Sequence, residues 1–258
     1  MDSLVRVWVV AHNTLREAVR SKLLYTLLFF AIALILAGVL ISTLSYVERE
    51  RIVQDVGLSA IRLFSVGIAI FVGVGLIHDE VERRTIFTIL SKPISRTEFL
   101  LGKYVGLVLT TWIQVGLMAL VFAGTSLAVG APFDVGYVAA FGLTLVELMV
   151  MVAVATLFSS FTTPLLSSLF SLGIYVVGHA TRELRMLGES SNLEGVATAS
   201  AIVHRVLPDL ESFNLTIQAV HGLAIPAEEI WLPVAYGMGY TAALLFAASA
   251  VFQRRDFR

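Results

Sequence analysis

The sequence contains no cysteine. Disulfides, thiolate-held zinc, iron–sulfur clusters and thiol catalysis are therefore excluded. Charge is scarce, at 14% of 258 residues, against roughly a quarter in a soluble domain. That charge also balances, 18 Lys and Arg against 19 Asp and Glu. The basic excess of a nucleic-acid binder is missing, and no nucleic-acid partner is expected. No G-x-x-x-x-G-K-[ST] occurs; Gly102-Lys103 is followed by Tyr104 and lacks the upstream glycine, so there is no nucleotide P-loop. H-E-x-x-H and G-x-S-x-G are absent too. His12, His78, His179, His204 and His221 are scattered without ligand spacing. The chain is therefore expected to have no metal site, no catalytic residue and no cofactor of its own.

What is abundant is apolar surface: 57% hydrophobic residues and a mean hydropathy of +0.87. An all-α polytopic membrane protein is the expected class. A spanning helix takes about 20 mostly apolar residues. The scan predicts six, at 23–46, 60–77, 104–129, 136–157, 163–181 and 230–252. Arg62 sits near one end of the second, where it is expected to snorkel. Between Lys103 and Arg182 only Asp134 and Glu147 are charged, and the stretch suits three spans. They are broken at Gly130-Ala131-Pro132 and at Ser159 to Pro164, where Thr162 or Thr163 caps a helix with Pro164 in its first turn. The first apolar run starts only after Lys22 and is too long for a signal peptide, so it is read as retained. With the N-terminus inside, twelve of the 18 Lys and Arg residues fall on inner segments and six, Arg62 among them, on outer ones. Both termini are predicted cytoplasmic. Tyr25, Tyr46, Tyr104, Tyr137 and Trp231 fall near span ends, as interfacial aromatics do.

Residues 2–22 read as an amphipathic helix, with Leu4, Trp8, Ala11, Leu15 and Val19 on one face and Asp2, Arg6, Asn13, Glu17 and Arg20 opposite. It either anchors the first span in the headgroup plane or also touches a cytoplasmic partner. The loop 78–103 carries nine charges: Asp79, Glu80, Glu82, Arg83, Arg84, Lys92, Arg96, Glu98 and Lys103. Pro93 forces a turn, and Ser95 with Glu98 has the spacing of a capping box, so a helix is predicted to begin near Arg96. Ile86, Phe87, Ile89, Leu90, Ile94 and Phe99 make this loop more apolar than topology alone requires, and an apolar surface ringed by charge resembles a docking site. Segment 182–229 is too polar to span. It reads as one or two short helices on or in the outer leaflet, broken at Pro208 and Pro226, or as a plain external loop.

Two features lie inside the spans. Glu147 falls near the middle of the fourth, where an ionisable group marks a functional site by default; bonding to another helix is the structural alternative. Ala235, Gly239, Ala243 and Ala247 recur every four residues in the last span, a pattern that permits close helix contact. Packing within the chain is its expected use, and a seam with a second copy the other.

These residues together resemble the ABC-2 family of ABC-transporter permeases, in the branch that includes the maturation permeases of multicopper enzymes and nitrous-oxide reductase. The resemblance rests on Glu80-Val81-Glu82-Arg83-Arg84-Thr85, then Leu90-Ser91-Lys92-Pro93-Ile94-Ser95-Arg96, Glu98-Phe99 and Leu101-Gly102-Lys103. Weaker echoes are Leu207-Pro208-Asp209-Leu210, Phe213-Asn214-Leu215 and Phe252 to Phe257. Arg84 stands where many relatives have glycine. The resemblance implies a six-span exporter-like permease of the ABC-2 (type V) kind in a bacterial cytoplasmic membrane. It implies pairing of two permease copies, identical or homologous, each above a separate ATPase subunit that holds ATP and magnesium. Asp79, Glu80, Glu82, Arg83, Arg84, Thr85, Ile86, Pro93 and Arg96 would form the coupling segment against that ATPase. The elbow helix, with Arg16, Arg20 and Lys22, would lie beside it, in contact with membrane lipids.

Two other functions share this topology: a membrane anchor or scaffold for an ATPase complex, and an ion-coupled carrier working through Glu147. Within the spans, polar groups beyond Glu147, Gln114 and scattered Ser and Thr are few, which favours a lipidic or amphiphilic cargo.

Overall fold

The computed structural model describes residues 3–44, 49–82, 95–131, 134–190, 195, 198, 200 and 205–254, with 76–82, 189 and 254 by backbone only. Among these residues the chain is all-helical: α1 Ser3–Ala18, α2 Lys22–Ser42, α3 Arg49–Glu82, α4 Arg96–Val129, α5 Val135–Ser159, α6 Pro164–His179, α7 Thr181–Ser190, a 3-10 turn Glu211–Phe213, α8 Thr216–Val220 and α9 Glu228–Arg254. Five helices are long and apolar enough to cross a membrane: α2, α3 as far as Gly75, α4, α5 and α9. Helices α6 and α7 meet at a bend of 61° and add a sixth span if taken as one. A helix of 16 residues, as α6 is, covers only about 24 Å of a hydrocarbon layer about 30 Å thick, so α6 alone ends inside it.

Local sequence explains most of the ends. Ser95 caps α4 through the capping box. Gly130 closes α4 at φ 84, a backbone state open to glycine at no steric cost. The Asp134 carboxylate accepts from Val135 N at the start of α5. Thr163 stands at the N-cap of α6 with Pro164 in its first turn, although its hydroxyl makes no capping bond.

Helix α5 is the centre. Leu148 and the whole run Val150 to Ala155 are at most 1% exposed, which is apolarity on every side rather than a stripe. It packs against α3, α4, α6 and α9. Helices α3 and α4 run antiparallel beside it, with Gln54 donating to Ser126 Oγ at 3.3 Å and Gly57 admitting the Phe122 ring. The chain from Leu210 to Val220 folds back onto α5 and α3, burying Leu210, Phe213, Leu215, Ala219 and Val220. This part of segment 182–229 therefore contributes to the core as well as to the surface.

Three expectations change. The second span does not begin at residue 60: α3 starts at Arg49, eleven residues earlier. Charges at 49–51 and 55 disguise that start, but Val53, Gln54 and Leu58 are buried there on an amphipathic face. Arg62 therefore does not snorkel at a helix end; it lies inside the bundle with its side chain 13% exposed. Tyr104 and Tyr137 face the protein interior rather than its surface, being 6% and 2% exposed, and the Tyr104 hydroxyl donates to Met149 O at 3.3 Å. Trp231 and Tyr25 are more than half exposed, and Tyr46 lies outside the described residues.

The stripe Ala235, Gly239, Ala243 and Ala247 requires a correction. Ala235, Gly239 and Ala243 are exposed, Ala247 is only half-buried, and a Cβ on Gly239 would meet nothing. The packing face is carried by Pro233, Gly237, Thr241 and Ala248. A shift of two residues turns an α-helix by about 200°, so the small-residue stripe faces away from the bundle. Gly237 is the residue that admits a close neighbour: its Cβ position lies 2.6 Å from Val146 and 3.1 Å from Phe213.

Candidate functional site

Polar side chains gather at two levels. The first is the end of the bundle where α3 ends, α4 begins and α9 finishes. Here α1 lies along α4, with Val10, Ala11, Thr14 and Ala18 buried. The contact is close because α4 presents glycine at two positions one turn apart. A Cβ on Gly102 would stand 2.5 Å from Val10, and one on Gly106 would stand 2.6 Å from Thr14. Ion pairs flank this seam: Arg6 with Glu98 at 2.9 Å and Glu17 with Lys103 at 3.1 Å. The Glu98 carboxylate also accepts from Ser95 N at 2.8 Å, while Glu98 N donates to Ser95 Oγ at 3.2 Å. One glutamate thus closes the capping box and binds the N-terminal helix.

Arg96 turns to the other side of the same end. Its Nη1 donates to the carbonyls of Gln253 at 3.1 Å and Phe252 at 3.4 Å. These belong to the last turn of α9, where carbonyls lack helical partners and a cation is favoured. Thr97 and Ser249 share a hydrogen bond of 3.1 Å, and Phe99 stacks on Phe252 with ring centroids 6.4 Å apart. The start of α4 is therefore held by both α1 and α9. Asp79, Glu80 and Glu82 lie in the last turns of α3, which the structure describes there by backbone only. Arg83, Arg84, Thr85, Ile86 and Pro93 lie outside the described residues. Arg16, Arg20 and Lys22 are exposed, beside the exposed apolar edge of Leu4, Trp8 and Val19.

The second level is halfway along α5. Glu147, 1% exposed, faces Arg62 of α3 and His179 at the end of α6. Arg62 Nη2 donates to Glu147 Oε2 at 3.3 Å and to His179 Nε2 at 2.8 Å. His179 Nδ1 stands 3.0 Å from Tyr175 O and donates to it. That pattern assigns the proton to Nδ1 and leaves Nε2 as the acceptor for Arg62. Nε2 also stands 3.4 Å from Glu147 Oε1, an oxygen with no hydrogen bond among the described residues. Breaking such a buried pair by removing one member costs about 3–5 kcal/mol, because the other charge is left uncompensated.

The break at the end of α6 is what makes room for His179. Gly178 lies so close to the returning chain that a Cβ would stand 2.8 Å from Leu210 and 2.9 Å from Pro208 O. Leu210 N donates to Gly178 O at 3.0 Å. Thr181 Oγ1 donates to Asp209 Oδ1 at 3.1 Å, and Asp209 N to the Tyr236 hydroxyl at 3.1 Å. Above this knot an open cleft of about 370 Å³ is lined by Arg182, Glu211, Asn214, Gln218, Glu228 and Glu229, with apolar Leu215, Leu232 and Pro233.

Sequence reasoning finds Glu147 but not its partners. Arg62 carries a signal, as the only Lys or Arg between Arg51 and Arg83, and a buried carboxylate calls for a cation. His179 carries none, because its role depends on where α6 breaks. The Gly102-x-x-x-Gly106 spacing, which seats α1, is as legible as the stripe in the last span, yet it is missing from the expectations above.

The family described as ABC-2 family transporter protein matches residues 8–257 of this chain. No curated protein matches it.

Proposed function

The chain belongs to the ABC-2 transporter family, as a membrane permease component of an ABC transporter, and from that premise we propose how it works. It is the permease of an ATP-driven exporter in a bacterial cytoplasmic membrane. Two copies, identical or homologous, pair, and each rests on a separate ATPase subunit that holds ATP and magnesium. The coupling segment is 79–91, the elbow is α1, and both termini face the cytoplasm. Outward movement is the usual direction that the resemblance implies.

The observation that carries this reading is the construction of one end of the bundle. The segment 83–94 leaves α3 after Glu82 and rejoins the fold at Ser95. There α4 is fastened to α1 through Glu98 and to α9 through Arg96. A push on that segment from a partner would thus reach α3, α4, the elbow and the last span together. The charge asymmetry supports the orientation, and more strongly once Arg62 leaves the outer tally for the bundle interior.

The test is capture of the tagged chain from mild detergent, with mass spectrometry of the proteins that co-purify. A P-loop ATPase is expected, and it should be lost when 79–91 is replaced by a Gly/Ser linker. Retention of the ATPase on the linker variant would remove the coupling-segment assignment. Absence of any ATPase with the unaltered chain would remove the permease–ATPase reading itself.

A further inference from the structure

Helix α1 has two unlike faces. Val10, Ala11, Thr14 and Ala18 are buried against α4, whereas Val5, Trp8, Val9, Arg16 and Arg20 are exposed. At about 100° per residue, Val5, Val9, Arg16 and Arg20 share one side of the helix, opposite the buried one. The outward face is thus apolar over its first half and basic over its second, and Lys22 follows at the start of α2.

The charges on this face are not balanced from within. Glu17 is the only acid of α1, and Lys103 engages it at 3.1 Å. Arg6, on the flank, is held by Glu98 at 2.9 Å. Arg16, Arg20 and Lys22 are exposed and form no ion pair among the described residues.

The level of this face follows from α4. At 34 residues that helix is about 51 Å long, against a hydrocarbon layer about 30 Å thick, so a part of it stands outside. Tyr104 to Val129 carries no charge, while Arg96, Glu98 and Lys103 precede it. The part outside is therefore the start of α4, along which α1 lies. Lys22 opens the first span, and Leu23 to Ser42 carries no charge. Arg20 and Lys22 thus stand where the chain enters the bilayer, at headgroup level.

We propose that the outward face of α1 binds anionic phospholipids, whose phosphates meet Arg16, Arg20 and Lys22 while Val5, Trp8 and Val9 dip among the acyl chains. This deepens the elbow reading above and rests on it for one point, that α1 lies at the membrane surface. A zwitterionic lipid has no net charge to attract these cations. An acidic protein partner would satisfy the charges, but Arg20 and Lys22 stand at a depth that lipid headgroups occupy. Each Lys or Arg near an anionic surface gives about a fivefold preference, so the three together give roughly a hundredfold at low salt.

The test uses the full chain with Trp112→Phe and Trp231→Phe, which leaves Trp8 as the only tryptophan. It is reconstituted in phosphatidylcholine vesicles, and Trp8 fluorescence is quenched by brominated phosphatidylglycerol or, for comparison, brominated phosphatidylcholine. The anionic lipid should reach a given quenching at about a tenth or less of the mole fraction that the zwitterionic one requires. Arg16→Gln, Arg20→Gln and Lys22→Gln together should abolish that advantage while leaving quenching by brominated phosphatidylcholine in place. Arg16→Lys, Arg20→Lys and Lys22→Arg together should retain it. So should Arg49→Gln, Arg185→Gln and Arg205→Gln, which remove as much charge from exposed positions elsewhere. Equal potency of the two lipids, an advantage that survives the Gln triple variant, or loss of both signals in that variant would overturn the proposal. Equal potency combined with loss of the ATPase from the Gln triple variant would assign the face to the ATPase instead. Capture of an ATPase with equal lipid potency would sink this surface alone. Lipid selectivity with no ATPase would leave the surface standing and remove the permease–ATPase reading.

Discussion

The two polar levels of the molecule are built on opposite rules. At the start of α4, the named polar side chains are matched: Ser95 with Glu98, Glu98 with Arg6, Lys103 with Glu17, and Arg96 with the end of α9. Half-way along α5, the Glu147–Arg62 pair leaves Glu147 Oε1 and Arg62 Nε without a hydrogen bond among the described residues. Matched polar groups at a helix junction fix geometry. Unmatched ones deep in an apolar bundle carry a standing cost. The difference separates a fastening from a candidate site without any appeal to which residues are charged.

The contrast can be broken most severely at Glu147. Glu147→Leu leaves Arg62 buried without its carboxylate and should cost about 3–5 kcal/mol, read as a fall in melting temperature of the detergent-solubilised chain. Arg62→Met added to it should restore most of that loss. If the double variant is as unstable as the single one, the pair is not the interaction that matters. The fastening is sharpened by a smaller change. Ser95→Ala removes the hydroxyl that caps α4 and should cost about 1 kcal/mol, with protease sensitivity rising first in α1, because the same Glu98 holds both. The smallest expected effect concerns α9. Gly239→Ala should leave stability within about 0.5 kcal/mol, whereas Gly237→Ala, facing Val146 and Phe213, should lower it by about 1–3 kcal/mol. Equal effects would mean that the outward stripe packs against something in the assembled protein.

These cases show what is legible in the sequence. Helical class, the break at Gly130 and the capping box at Ser95 rest on local rules, and a single sequence carries local rules in full. Glu147 stands out because an acid in an apolar run is conspicuous. Its partners do not, since pairing Arg62 with Glu147 joins residues 85 apart and depends on how three helices are rotated. The inward packing expected of the stripe in α9 fails for the same reason. Spacing says which residues share a face, but only a neighbour decides which face is turned inward. Gly237 is inward because Val146 and Phe213 have nowhere else to go, a fact that no property of α9 alone contains.

Helix α3 is also a piece of machinery. It runs unbroken from Arg49 to Glu82, so Arg62 and the final residue ride on one rod, twenty residues or about 30 Å apart. If that rod swings by about 5° about its last turn, Arg62 travels roughly 2.5 Å. That stroke is comparable with the whole length of its bond to Glu147, 3.3 Å. A tilt of that size at one end of α3 would therefore be enough to part the Arg62–Glu147 pair at the other.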